Sequence, residues 1–173
     1  MQLNLEVVSG TAPPKEAVAL LAGNEELLRN TAQIVVRDSK IIERTKAPGR
    51  QISLSLGRPH IHQDVLFLRL AISNYSRIGY DIQSLRFLIK DKKQAKRTAV
   101  QETALSTLYV LNDTTAVAGK SEHVFVFALP KFTIPDQKYL VIQLMEKNGG
   151  RHMELRIGNR PVSRARSVAD TIN

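Results

Sequence analysis

The sequence contains no cysteine and no tryptophan, and aromatic residues make up only 5% of its 173 positions. Without cysteine there is no disulfide, no thiol nucleophile and no cysteine-ligated zinc. No stretch reaches the apolar length that a membrane-spanning helix needs. The opening, MQLNLEVVSGTAPP, lacks the basic end and apolar run of a signal peptide. An exported native protein would have lost its signal, and Met1 would then not be its natural start. Also missing are G-x-S-x-G, H-E-x-x-H and a glycine-rich phosphate loop. The expectation is a protein that is not an enzyme and carries no cofactor.

What the chain has in excess is positive charge. Lys and Arg number 25 against 16 Asp and Glu, for a net charge of +9. That favours an acidic partner, whether nucleic acid, anionic membrane or an acidic protein face, without choosing among them. At this length one domain with an appendage is expected, burying roughly 70% of its unfolded surface.

Periodicity divides the chain into three parts. Residues 1–50 form an N-terminal segment. It holds a short β-like run, LNLEVV, and a brief helix through KEAVALLA that Gly23 would end. From Asn24 the residues Leu27, Leu28, Thr31, Ile34, Val35, Ile41 and Ile42 recur at helical spacing, predicting an amphipathic helix over about 24–44. From Gln51 the period becomes two. Runs around Ile52–Leu54–Leu56, Leu66–Leu68–Leu70–Ile72, Leu85–Phe87–Ile89, ALSTLYVL (104–111), Phe125–Phe127–Leu129, Leu140–Ile142–Leu144 and Met153–Leu155–Ile157 predict seven antiparallel strands. KNGG (147–150) predicts a type I′ hairpin turn. The fold expectation is mainly β, a seven-stranded antiparallel immunoglobulin-like β-sandwich over 51–162, with a small barrel as the alternative. The last part, 163–173, is a polar tail, frayed or briefly helical.

Chemistry-bearing residues are few. His60, His62 and Asp64 form H-x-H-x-D at strand spacing, which a metal could use, but no second ligand cluster accompanies them. The preferred reading is a polar loop, with no metal. The stretch DKKQAKRTAVQE (91–102) concentrates Lys92, Lys93, Lys96 and Arg97. A non-specific nucleic-acid groove interleaves such cations with exposed aromatics. Here the nearest aromatic, Phe87, falls on the core side of its strand, so a solvated turn is preferred to a nucleic-acid grip. A second basic group comprises Arg151, Arg156, Arg160, Arg164 and Arg166, with Arg156 facing outward beside Glu154.

The segment 67–102 resembles the TraN proteins of Bacteroides-type conjugative transposons. The resemblance rests on Asn74 and Ser76, Tyr80–Asp81, Arg86–Phe87, Asp91–Lys92–Lys93, Lys96–Arg97–Thr98 and Gln101–Glu102, in that order. FALPKFTIPDQKYLVIQLMEKNGGRHMELRI (127–157) is similar to a second signature of that family, and the match runs from about Ile34 to Arg166. The resemblance implies a scaffold role in a type IV secretion-like conjugation apparatus, periplasmic or associated with the outer membrane. Its partners would be other subunits of that apparatus, and self-association within the assembly is compatible with the role. It supplies no catalytic residues. The interface it implies includes Lys92, Lys93, Lys96, Arg97, Gln101 and Arg156, contacting a neighbour by strand addition or across a sheet.

Overall fold

The computed structural model describes residues 15–93 and 101–172, with side chains from Asn24 onward. The LNLEVV run, Lys96 and Arg97 lie outside the described residues. In chain order the elements are α1 (Lys15–Val35), β1 (Ile41–Lys46), β2 (Ile52–Gly57), β3 (His60–His62), β4 (Val65–Asn74) and β5 (Tyr80–Asp91). Then follow β6 (Glu102–Leu105), β7 (Tyr109–Leu111), β8 (Ala116–Val117), β9 (Ser121–Pro130), β10 (Lys138–Glu146) and β11 (Met153–Ile157). The chain closes with α2 (Asn159–Ser163), β12 (Arg166–Ser167) and α3 (Ala169–Ile172). Among the described residues no helix is long and apolar enough to cross a membrane.

The strands form two sheets. In the first, β4 is central: β9 pairs with it along its whole length, from Asn74↔Ser121 to Val65↔Pro130. On the other side of β4, β2 and then β3 lie end to end, with β1 outside β2 and β12 outside β3. β7 borders β9. The second sheet runs β11-β10-β5-β6, and β8 meets the start of β5. All pairings are antiparallel except β12 with β3. One core lies between the sheets, filled by Leu54, Leu68, Leu70, Phe125 and Phe127 from the first and Phe87, Ile89, Leu140, Ile142 and Leu155 from the second. Phe87 meets Phe127 edge to face across it at 5.0 Å. A smaller cluster lies outside the first sheet, where Ala32 and Val35 of α1 cover Phe67, Val126 and Ala128.

The alternating runs therefore lie where their periodicity places them, but several other expectations need correction. The helix predicted over 24–44 instead spans Lys15–Val35, passing through Gly23, and Ile41–Lys46 is strand β1. Helical spacing and a strand edge compete for Ile41, Ile42 and Thr45. The chain turns at Asp38, whose Oδ1 accepts the Lys40 N–H (3.1 Å), and pairing with β2 then settles the matter. The boundary at residue 50 consequently falls between two paired strands.

The run 104–111 is two strands, β6 in the second sheet and β7 in the first, so the chain changes layers at 106–108. The segment 60–64, expected as a polar loop, is strand β3 and a tight turn into β4. Gln63 (φ 46) and Asp64 (φ 63) are both left-handed there, as a type I′ hairpin requires. By contrast the 147–150 stretch has only Asn148 at positive φ (53) and belongs to a longer connection. Gly149 has another reason: a Cβ there would sit 2.2 Å from the Glu146 carboxylate, which Arg151 holds in place. Of the two readings of the tail, the brief helix holds, as α3 over Ala169–Ile172, and the tail is tied down after Val162. β12 pairs with β3, and Val162 and Val168 are buried.

Candidate interaction face

Pairing register decides which side chains meet on the outer face of the second sheet. Lys90 of β5 lies between Glu102 of β6 and Tyr139 of β10. Leu88 lies between Ala104 and Val141, and Val141 is in turn opposite Arg156 of β11. Arg86, Gln143 and Glu154 form the next row. These rows bring residues distant in sequence into one polar network. Arg86 Nη2 donates to Gln143 Oε1 (2.6 Å), Gln143 Nε2 donates to Glu154 Oε1 (3.1 Å) and Arg156 Nη2 donates to Glu154 Oε2 (3.0 Å). Lys90 Nζ is 3.4 Å from Glu102 and 3.9 Å from Glu154. Lys138 pairs with Asp91 at 3.3 Å.

Beneath this network Leu88 and Val141 are each 1% exposed although both point away from the core. The long stems of the charged side chains cover them, leaving the charged heads in water. Lys92 Nζ sits 5.0 Å from the centre of the Tyr139 ring. Burial pushes the Glu154 carboxyl up, but hydrogen bonds from Arg156 and Gln143 and the nearby Lys90 together hold it below its ordinary value.

The face is an open hollow of about 480 Å³ lined by Lys90, Asp91, Lys92, Glu102, Tyr139, Val141, Glu154 and Arg156. Its lining carries three cations and three carboxylates. Of the residues expected at the interface, Lys92 and Arg156 line it, so the two basic groups do meet through these members. Lys93 and Gln101 are exposed beside lining residues, next to Lys92 and Glu102. The other arginines go elsewhere: Arg151 to Glu146, Arg160 and Arg164 to α2 and its end, Arg166 to β12. Sequence reasoning misses Tyr139, Glu154 and Gln143 as site residues. Alternation marks them as outward, but only the register of β10 with β5 and β11 places them here.

The H-x-H-x-D residues are engaged separately. His60 is buried in β3, its Nδ1 donating to the Arg58 carbonyl (2.9 Å) and its Nε2 facing Asp38 Oδ2 at 3.3 Å. Asp64 pairs with Lys131 at 2.9 Å.

A family model described as Domain of unknown function (DUF4138) matches residues 25–167. The chain belongs to the DUF4138 family. The matched span begins in α1 and ends at the last residue of β12, so both sheets and every lining residue of the hollow belong to the DUF4138 domain. A comparison with curated proteins gave no match.

Proposed function

We propose that this protein is a non-enzymatic structural subunit of a conjugative DNA-transfer apparatus of the type IV secretion kind, acting through protein–protein contacts in the periplasm or at the outer membrane. The observation that carries the reading is the charge-compensated hollow on the second sheet, where Lys92 lies over Tyr139 and Arg156 lines the same hollow, paired with Glu154. Protein contacts use such mixed charge, with an aromatic at the centre, to fix partner and orientation. A groove for a phosphate backbone works through cations left unanswered by carboxylates. The resemblance of 67–102 and 127–157 to TraN proteins supplies the machine in which the face would act. In this reading the two layers are an immunoglobulin-like β-sandwich and α1 is an amphipathic helix packed on its outside through Leu28, Ala32 and Val35.

A nucleic-acid-binding module is the second reading. It is favoured by the net charge of +9 and by Lys92, which sits over an aromatic ring. Fluorescence anisotropy with single- and double-stranded DNA, at about 50 and about 200 mM salt, separates the two. The proposal expects no binding beyond the weak non-specific range at the higher salt. Tight binding there, lost in Lys92→Glu/Lys93→Glu, would replace it with the second reading.

A further inference from the structure

At the end of the molecule away from the hollow, four loops meet: residues 47–51, 75–79, 118–120 and 147–152. Main-chain bonds tie them together. Tyr75 N–H donates to the Gln51 carbonyl, Lys120 N–H to the Ser76 carbonyl and Lys147 N–H to the Asp81 carbonyl, each at 2.8 Å. Arg151 Nη2 donates to the Gly79 carbonyl, also at 2.8 Å.

The loop 75–79 is held with unusual completeness. Asn74 is 1% exposed, and its Oδ1 accepts the Ser76 N–H (3.0 Å) and the Ser76 hydroxyl (2.7 Å). Its Nδ2 donates to the carbonyls of Ile78 (2.9 Å) and Ala118 (3.2 Å). Arg151, fixed by Glu146, reaches Ser76 Oγ from the other side at 3.2 Å. Gly119 lies against the loop so closely that a Cβ would sit 2.5 Å from the Arg77 carbonyl oxygen.

This buried polar scaffold presents apolar side chains to water. Tyr75 is 55% exposed and Ile78 is 72% exposed. Around them Arg50, Arg77, Lys120 and Lys147 are exposed, against exposed Asp81, Asp113 and Glu122, of which Glu122 accepts from the Ser73 hydroxyl. None of the four cations forms an ion pair with a described carboxylate. A tyrosine and an isoleucine on a pre-ordered backbone, ringed by arginine and lysine, have the make-up of a binding hot spot.

The geometry points to a second interaction surface here: the 75–79 loop is a docking tip for a partner protein that offers an apolar socket with a carboxylate rim. The positive ring sets the sign of that rim. A fixed backbone favours a protein over a bilayer, because a lipid surface accepts a pliant loop as readily as a rigid one. Tyr75 among these cations could also stack on a base, but Ile78, the more exposed of the two, has no π-face and gains only from an apolar socket, so a protein is favoured and nucleic acid is left as an outcome of the test. The inference does not rest on the conjugation reading, and the tip lies at the opposite end of β5 from Lys90 and Lys92.

The test places a photo-crosslinking amino acid at Ile78, and in a control chain at the similarly exposed Ile172, in cells that naturally make the protein. The expected result is a discrete adduct with a different protein from position 78 and not from 172. That protein, purified, should bind the wild-type chain and lose affinity about tenfold or more with Ile78→Ser and with Arg77→Glu/Lys120→Glu, at unchanged melting temperature. Adducts with lipid, nucleic acid or a second copy of the chain would overturn the inference. So would equal adducts at both positions, no adduct, or a purified partner indifferent to these substitutions.

Discussion

His60 and Asp38 leave two buried atoms, Nε2 and Oδ2, without a hydrogen between them. The Arg58 carbonyl can only accept, so His60 Nδ1 carries the ring proton and Nε2 presents a lone pair to the carboxylate. Burial pushes the His60 pKa down, outweighing the upward pull of the hydrogen bond to the Arg58 carbonyl and of Asp38, while the charges of Arg166 and Arg58 push the same way as burial. A depressed histidine contributes stability that is fully present above its ordinary value of about 6.5 and is lost as pH falls toward its folded value. Glu146 acts in the same sense lower down. Arg151 holds its carboxyl below the ordinary value of 4.5, so its contribution is lost only as pH falls further. Melting temperature should therefore hold level from about pH 7 to 8 and fall in two steps on acidification. His60→Asn should abolish the upper step, and its persistence would show that another group titrates there. Asp38→Asn keeps an oxygen for the Lys40 N–H and offers a donor to Nε2. We expect it to raise stability at pH 8 by about 1 kcal/mol, and a clear loss on thermal or urea unfolding would refute that account. Gly119→Ala meets backbone instead of a movable side chain and should cost about 1–3 kcal/mol. Unaltered unfolding would mean that the 75–79 loop yields easily.

Among the elements, the long strands were legible because they satisfy one rule throughout. Leu66, Leu68, Leu70 and Ile72 face one way along β4, and Leu140, Ile142 and Leu144 do so along β10. Short elements were not. Ile34, Val35, Ile41 and Ile42 fit a helical stripe as well as they fit a helix followed by a strand, and the deciding contacts, with β2, are made in space. Gln63–Asp64 turns a hairpin without the glycine or asparagine that announces one, whereas the Asn148–Gly149 pair announces a turn that Glu146 and Arg151 remodel. The interaction face was half legible: Lys92 and Arg156 were marked by charge, but Tyr139, Gln143 and Glu154 acquire their place only from register. The helix gives a separate prediction. α1 is held through Ala32 and Val35, both 0% exposed, and through Arg69 Nε, which donates to the Val36 carbonyl at 2.9 Å. Ala32→Asp buries an unpaired charge there. Hydrogen exchange should show residues 24–35 losing protection while β5 and β10 keep theirs. Simultaneous loss in both would show that α1 and the second sheet unfold as one unit.

For the molecule as a whole, the two sheets share one core and separate two differently charged surfaces. The hollow at the Lys90–Tyr139 end balances cations with carboxylates, whereas the loops at the Tyr75–Ile78 end carry excess positive charge. The net charge of +9 is thus unevenly spread over the described residues. We propose that the balanced face contacts another subunit during conjugation. The most direct measurement is the transfer frequency of a donor whose only copy of this chain carries Lys92→Glu/Arg156→Glu, with chain abundance and melting temperature measured alongside. Transfer should fall about tenfold or more while abundance and melting stay at wild-type values. Wild-type transfer from that donor would contradict the claim.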